Sequence, residues 1–201
     1  MYYLFILLGY LSGSILYAQL IPRLLNGIDI REAGIDHNPE AFNAFKLAGR
    51  KTGAIVLILE LAKGFLPIYA AAHILDVHAP LFGIILAAPV IGHAFPFMHP
   101  TKGGKAIAVS FGCLLGLLPN LSPFFLLAFF YLLFSLLIII RPHLLRTIIT
   151  YLCFSITSLR HLQSSTLRCG TLLISSIVIL KHILKREKSP ISIRFPGRKN
   201  H

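Results

Sequence analysis

Long apolar runs alternating with short polar stretches set the character of this chain. Seven runs stand out, at residues 2–22, 53–75, 80–97, 106–119, 122–140, 144–159 and 167–184. A bilayer-crossing helix needs roughly 17 to 25 mostly apolar residues. The runs are continuous rather than alternating, which argues against a barrel. Lipid offers no partner to an open backbone, so helices are what remains. The pattern predicts an all-α integral membrane protein, a bundle of about seven transmembrane helices joined by polar loops. The fourth and sixth runs are short, which leaves six as the other count. The first run has no charged lead segment and is followed by further spans, so it reads as a retained helix rather than a cleaved leader. Residues 1–186 read as a single multi-pass domain and 187–201 as a basic tail.

Composition sharpens the membrane reading. Of 201 residues, 56% are hydrophobic and 13% charged, with a mean hydropathy of +0.77. Water-soluble domains carry about 25% charged residues. Lysine and arginine then set the orientation. With the amino terminus outside, the inner segments hold Arg23, Arg31, Lys46, Arg50, Lys51, Lys102, Lys105, Arg141, Arg146, Lys181 and the tail. The outer segments hold Arg160 and Arg168. The net charge of +12 thus reflects topology and attraction to anionic lipid headgroups, with no nucleic-acid partner expected. Cys113, Cys153 and Cys169 lie in or beside apolar runs without metal-ligand spacing and read as small buried hydrophobes. Gly9 with Gly13, and Gly112 with Gly116, have the spacing of close helix contacts within the bundle.

The inner loops carry the candidate chemistry. The first, residues 23–52, is long for a connector and mixes Asp29, Arg31, Asp36, Asn38, Asn43, Lys46 and Arg50 with apolar positions. A folded cap at the interface is expected there. Lys63 lies inside the second run, where a charge is expensive. Glu60, three residues earlier, is on the same helical face and offers neutralisation. His93 stands between Gly92 and Pro96 at the inner end of the third run. Lys102-Gly103-Gly104-Lys105 follows, and glycines there free the backbone to turn amides toward an anion. No nucleotide-binding glycine loop, Gly-x-Ser-x-Gly elbow or zinc set is present. No metal and no cofactor are expected.

These motifs resemble the PlsY family of bacterial membrane glycerol-3-phosphate acyltransferases. The resemblance covers residues 10–112. It rests on Gly13-Ser14-Ile15, on Gly27-Ile28-Asp29-Ile30-Arg31 with Gly34, Asn38, Asn43 and Gly49, on Lys63-Gly64, and above all on Gly92-His93-x-Phe95-Pro96 with Lys102-Gly103-Gly104-Lys105. It implies seven helices, an outside amino terminus and three cytoplasmic motif loops in a bacterial inner membrane. It implies acyl transfer from acyl phosphate to the 1-hydroxyl of glycerol 3-phosphate, giving lysophosphatidic acid and phosphate. His93, Lys105, Lys63 and Asn43 would be catalytic. Ser14, Arg31, Asn38, Lys46, Arg50, Lys102, Gly103 and Gly104 would bind substrate. The family's first loop reads Gly-Ser-Gly-Asn-Ile-Gly-Ala-Thr-Asn, whereas residues 34–43 here bring in Asp36 and Glu40. A divergent paralogue with another acceptor or no activity, and a small transporter for an anionic solute, are the alternatives. The oligomeric state is not readable from the sequence.

Overall fold

The computed structural model describes residues 1–34, 38–185 and 192–194. Asp36 and most of the basic tail fall outside them. The architecture is a helical bundle, and each of the seven apolar runs coincides with helix. In order these are α1 (Tyr2–Ser14), α2 (Tyr17–Asn26), α3 (Ile30–Ala33), α4 (Ala41–Ile74), α5 (Phe82–Ala94), α6 (Ile107–Leu115), α7 (Ser122–Leu132), α8 (His143–His161) and α9 (Ser165–Leu184). Among the described residues, three helical segments are long and apolar enough to cross a membrane: Tyr2–Asn26, Ala41–Ile74 and Ser165–Leu184. Phe82–Ala94 and Ser122–Leu137 are shorter apolar helices.

At the centre stands α5. Phe82, Ile85, Leu86, Ala87 and Val90 on it are fully buried, and α1 and α9 pack on its two sides. The approach of α1 is close enough to require glycine. A Cβ on Gly13 would lie 2.0 Å from the Pro89 carbonyl oxygen, and one on Gly92 would lie 2.1 Å from that of Tyr10. The Gly112-x-x-x-Gly116 pattern likewise seats α6 on α4. Both small-residue patterns serve packing inside the chain. Large apolar side chains such as Leu4, Ile58, Phe125, Phe129 and Ile156 face outward, as a lipid-facing surface requires.

The structure adds three features to the expected outline. The first run is not one helix. Ile15 is extended (φ −75°, ψ 115°), which separates α1 from α2. The second helix begins twelve residues before its apolar run, at Ala41 rather than Gly53, and bends at Gly49 (φ 87°, ψ 172°). That conformation suits glycine. It folds the leading turns back, so that Phe45 lies against Gly53. The fifth run closes with one turn of π-helix, Leu133–Leu137, then a short strand β1 (Ile139–Arg141). This pairs antiparallel with β2 (Ser192–Arg194), Ile140 opposite Ile193. The tail thereby returns to the loop that leads into α8.

Candidate active site at the basic end of the bundle

The break between α1 and α2 explains the intramembrane charges. Interrupting a helix frees a carbonyl and an amide that lipid cannot satisfy. Here the freed carbonyl of Ile15 accepts from Lys63 Nζ at 2.6 Å. The freed amide of Ala18 donates to Glu60 Oε1 at 3.3 Å. Glu60 Oε2 and Lys63 Nζ pair at 2.7 Å, with both side chains buried. The third neighbour of Lys63 Nζ is His93 Nδ1, at 2.8 Å. An ammonium has three protons. Glu60, Ile15 and His93 supply three acceptors, which engages all of them within the protein. His93 Nδ1 then accepts, and the ring proton sits on Nε2. Glu60 Oε2 lies 3.2 Å from the same Nδ1; with the ring proton on Nε2 both atoms are acceptors, and Lys63 Nζ bridges them.

His93 Nε2 is aimed at the glycine-lysine turn. A Cβ on Gly104 would stand 2.3 Å from that atom and 3.1 Å from the Pro39 carbonyl oxygen. One on Gly103 would meet the carbonyls of His93 and Ala94. The two glycines are thus packing requirements. Their turn is tied down: Gly104 N–H donates to His93 O at 3.1 Å, and Lys105 N–H donates to Glu40 Oε1 at 3.1 Å. Two of the amides that the sequence suggests for an anion therefore already have protein acceptors. Arg31 reaches across from α3 and donates to the Lys102 carbonyl at 2.7 Å. Burial pulls the Arg31 guanidinium below its ordinary pKa, and the neighbouring Asp29 carboxylate opposes that shift.

The first loop closes on the same place. Asn38 is fully buried. Its carbonyl accepts from Asn43 Nδ2 at 2.8 Å, and its Oδ1 accepts from Lys185 Nζ at 3.2 Å. Its Nδ2 is buried with no hydrogen-bond partner among the described residues. Ser14 ties α1 to the segment that leads into the turn, donating to Tyr10 O at 2.8 Å and accepting from Phe97 N–H at 3.3 Å. Lys46 and Arg50 are exposed on either side of the Gly49 bend, and neither lines the pocket beside Lys105.

That pocket contains residues that the sequence reading passed over. Lys105, Pro142, His143, Leu144, His182 and Lys185 line it. His182 Nδ1 is 2.8 Å from the Val178 carbonyl, which fixes the proton on Nδ1. Its Nε2 is buried with no partner among the described residues. The His143 ring stacks on it, centroids 5.4 Å apart. Behind it, buried Lys181 lies over the Phe95 ring at 4.6 Å. The only signal in the sequence was the spacing Lys181-His182-x-x-Lys185 at the end of the last run, which reads equally well as ordinary inner-face charge.

Fold and site define a helical membrane protein with a buried cationic and histidine-bearing pocket at one end of its bundle. The sequence pattern of the glycerol-3-phosphate acyltransferase family matches residues 3–188, and the chain belongs to that family. A glycerol-3-phosphate acyltransferase of Macrococcus caseolyticus is 36% identical over 180 residues, 89% of this chain and 88% of that protein. One of Myxococcus xanthus is 40% identical over 115 residues, 57% of this chain and 59% of that protein. In three dimensions the chain is similar to PlsY (YgiH), an integral membrane glycerol 3-phosphate acyltransferase, in its glycerol 3-phosphate form. The TM-score is 0.78 at 24% identity, covering 91% of this chain and 88% of that one. The lysophosphatidic acid form of PlsY gives 0.72 at 22% identity, covering 90% and 87%. The chain is accordingly an all-α integral membrane protein of an acyltransferase family, as the helical membrane reading and the family resemblance lead one to expect.

Proposed function

We propose that the chain transfers an acyl group from acyl phosphate to the 1-hydroxyl of glycerol 3-phosphate. The products are lysophosphatidic acid and inorganic phosphate. One observation carries this reading most: Lys105, His182 and Lys185, from two separate stretches of chain, line one pocket, and Asn38 of the first loop accepts from Lys185. The turn that carries Lys105 meets Arg31 at Lys102 and His93 at Gly104. Two anions repel, so a site that unites them must supply fixed positive charge and oriented donors.

The hydroxyl oxygen attacks the acyl carbon, and the bond from that carbon to the bridging oxygen breaks. Phosphate leaves with the electron pair, and the hydroxyl proton ends on the phosphate. No covalent enzyme intermediate is needed, because the acyl group arrives activated. Lys105 and Lys185 neutralise the leaving phosphate. His182 Nε2, an acceptor in the tautomer set by Val178, orients the attacking hydroxyl. His93 offers its Nε2 proton toward the developing charge. Asn38 Nδ2 and Arg31 bind acceptor oxygens, with Lys46 and Arg50 attracting anions at the loop edge. Asn43 and Ser14 hold the loop and the turn in place. Lys63 acts on His93 rather than on substrate. Holding the reactants in register is itself a large part of such a rate gain.

The basic residues of α2, α3, the start of α4, the Lys102–Lys105 turn, the start of α8 and the end of α9 share one end of the bundle. Arg160 and Arg168 stand at the other. That asymmetry supports a bacterial cell membrane with the site on the cytoplasmic face and the amino terminus outside. Purified protein in nanodiscs, given acyl phosphate and glycerol 3-phosphate, should release phosphate only when both are present. Lys105→Ala and His182→Ala should abolish the release in folded protein. Full activity in both variants would remove the assigned roles.

A further inference from the structure

Glu40 has an unusual position. It is the residue that precedes α4, where a short polar side chain ordinarily accepts from the first amides of the helix. Its side chain makes no such bond. Oε1 instead accepts the backbone N–H of Lys105, 65 positions away. The chain is shaped for this reach. Glu40 N–H donates to the Asn38 carbonyl at 3.0 Å, Asn43 closes on the same carbonyl, and the Pro39 carbonyl abuts Gly104. A carboxylate thus occupies a backbone donor at the end of the glycine-lysine turn. Lys105 is buried beside it, and Lys185 is held close by Asn38. A phosphate oxygen entering the turn would seek that same amide. Glu40 also falls in the stretch where this chain departs from the family's loop.

We propose that Glu40 is a resident anion of the phosphate site, competing with phosphorylated ligands for the Lys105 amide and setting their affinity low. The inference rests on the assignment of the Lys102–Lys105 turn to a substrate phosphate. An incoming phosphate must displace the carboxylate or bear its repulsion. When inorganic phosphate departs, the carboxylate returns to the amide and closes the turn behind it. Release of product is thereby favoured, and inhibition by accumulated phosphate is weak. The same charge selects against acceptors that carry more negative charge.

Glu40→Gln separates charge from hydrogen bonding, because the amide oxygen still accepts the Lys105 N–H. Glu40→Asp keeps the charge on a shorter arm. The readout is isothermal titration of inorganic phosphate into the purified full-length protein in detergent. Removing one negative charge a few ångströms from the ligand should tighten phosphate binding about tenfold in Glu40→Gln. The inhibition constant of added phosphate should fall in parallel, and Glu40→Asp should stay nearer the wild type. Equal or weaker phosphate binding in Glu40→Gln would overturn the proposal. So would an Asp variant that binds as tightly as the Gln variant. Should Glu40→Gln fail to fold, Glu40→Ala is titrated instead with the same expectation. A wild type without glycerol-3-phosphate-dependent turnover would defeat the functional assignment alone, since the titration requires no turnover.

Discussion

Replacing Lys63 by methionine tests how the bundle tolerates charge in its interior. Methionine has nearly the length of the lysine stem, so packing is disturbed little and the loss is electrostatic. Three contacts disappear: the 2.7 Å pair with Glu60, the 2.6 Å bond to the Ile15 carbonyl and the 2.8 Å contact with His93. At 2.7 Å and an effective dielectric of about 20, the ion pair alone attracts by about 6 kcal/mol. Much of that offsets desolvation, and removing one partner of a buried pair typically costs about 3 to 5 kcal/mol. The orphaned Ile15 carbonyl adds about 1 to 3 kcal/mol. Lys63→Met should therefore lower the unfolding midpoint in detergent by about 10 °C or more. Glu60→Gln combined with Lys63→Met leaves no unpaired charge, and its amide oxygen can still accept the Ala18 N–H. The double variant should recover part of the loss while remaining inactive, because His93 has lost its support. Thermal unfolding followed by tryptophan-free fluorescence of a bound dye, run alongside the phosphate-release assay, reads both effects. A Lys63→Met protein as stable as wild type, or a double variant less stable than either single one, would refute the reasoning.

Other expectations follow from single contacts. Gly104→Ala places a methyl group 2.3 Å from where His93 Nε2 now lies. It should reduce phosphate release by at least about tenfold, a loss of about 1.4 kcal/mol of transition-state stabilisation, while size-exclusion profiles stay normal. Gly13→Val drives a side chain into the Pro89 carbonyl and should destabilise the bundle by about 1 to 3 kcal/mol, measured as a lower unfolding midpoint. Tyr151→Phe removes the 2.6 Å bond to Ser110 and should cost about 1 kcal/mol without altering turnover; a large activity loss would place Tyr151 closer to the chemistry than its contacts do.

The hydrophobic pattern disclosed the helices because lipid imposes a length and forbids open backbone, so seven runs mapped onto seven helical regions. Lys63 and Glu60 were legible as a pair from their spacing of three. Their reason was not legible, since it lies in the break at Ile15, where neither glycine nor proline marks the position and the preceding Gly13 serves packing instead. The Gly49 bend was equally silent, because one glycine among many does not declare a positive φ. The Lys102–Lys105 turn was found for its charge, yet its glycines turned out to be fixed by contact with His93 and Ala94. His182, His143 and Lys185 were missed because sidedness alone accounts for basic residues at helix ends. Only their convergence with Lys105 from distant stretches of chain sets them apart.

Position of bond cleavage tests the proposed transfer most directly. Acyl phosphate carrying oxygen-18 in the bridging position is incubated with the protein and glycerol 3-phosphate, and both products are analysed by mass spectrometry. Attack at the acyl carbon predicts that the label leaves entirely with inorganic phosphate, in amounts equal to the lysophosphatidic acid formed. Label retained on the acyl product, or phosphate released without glycerol 3-phosphate, would contradict it.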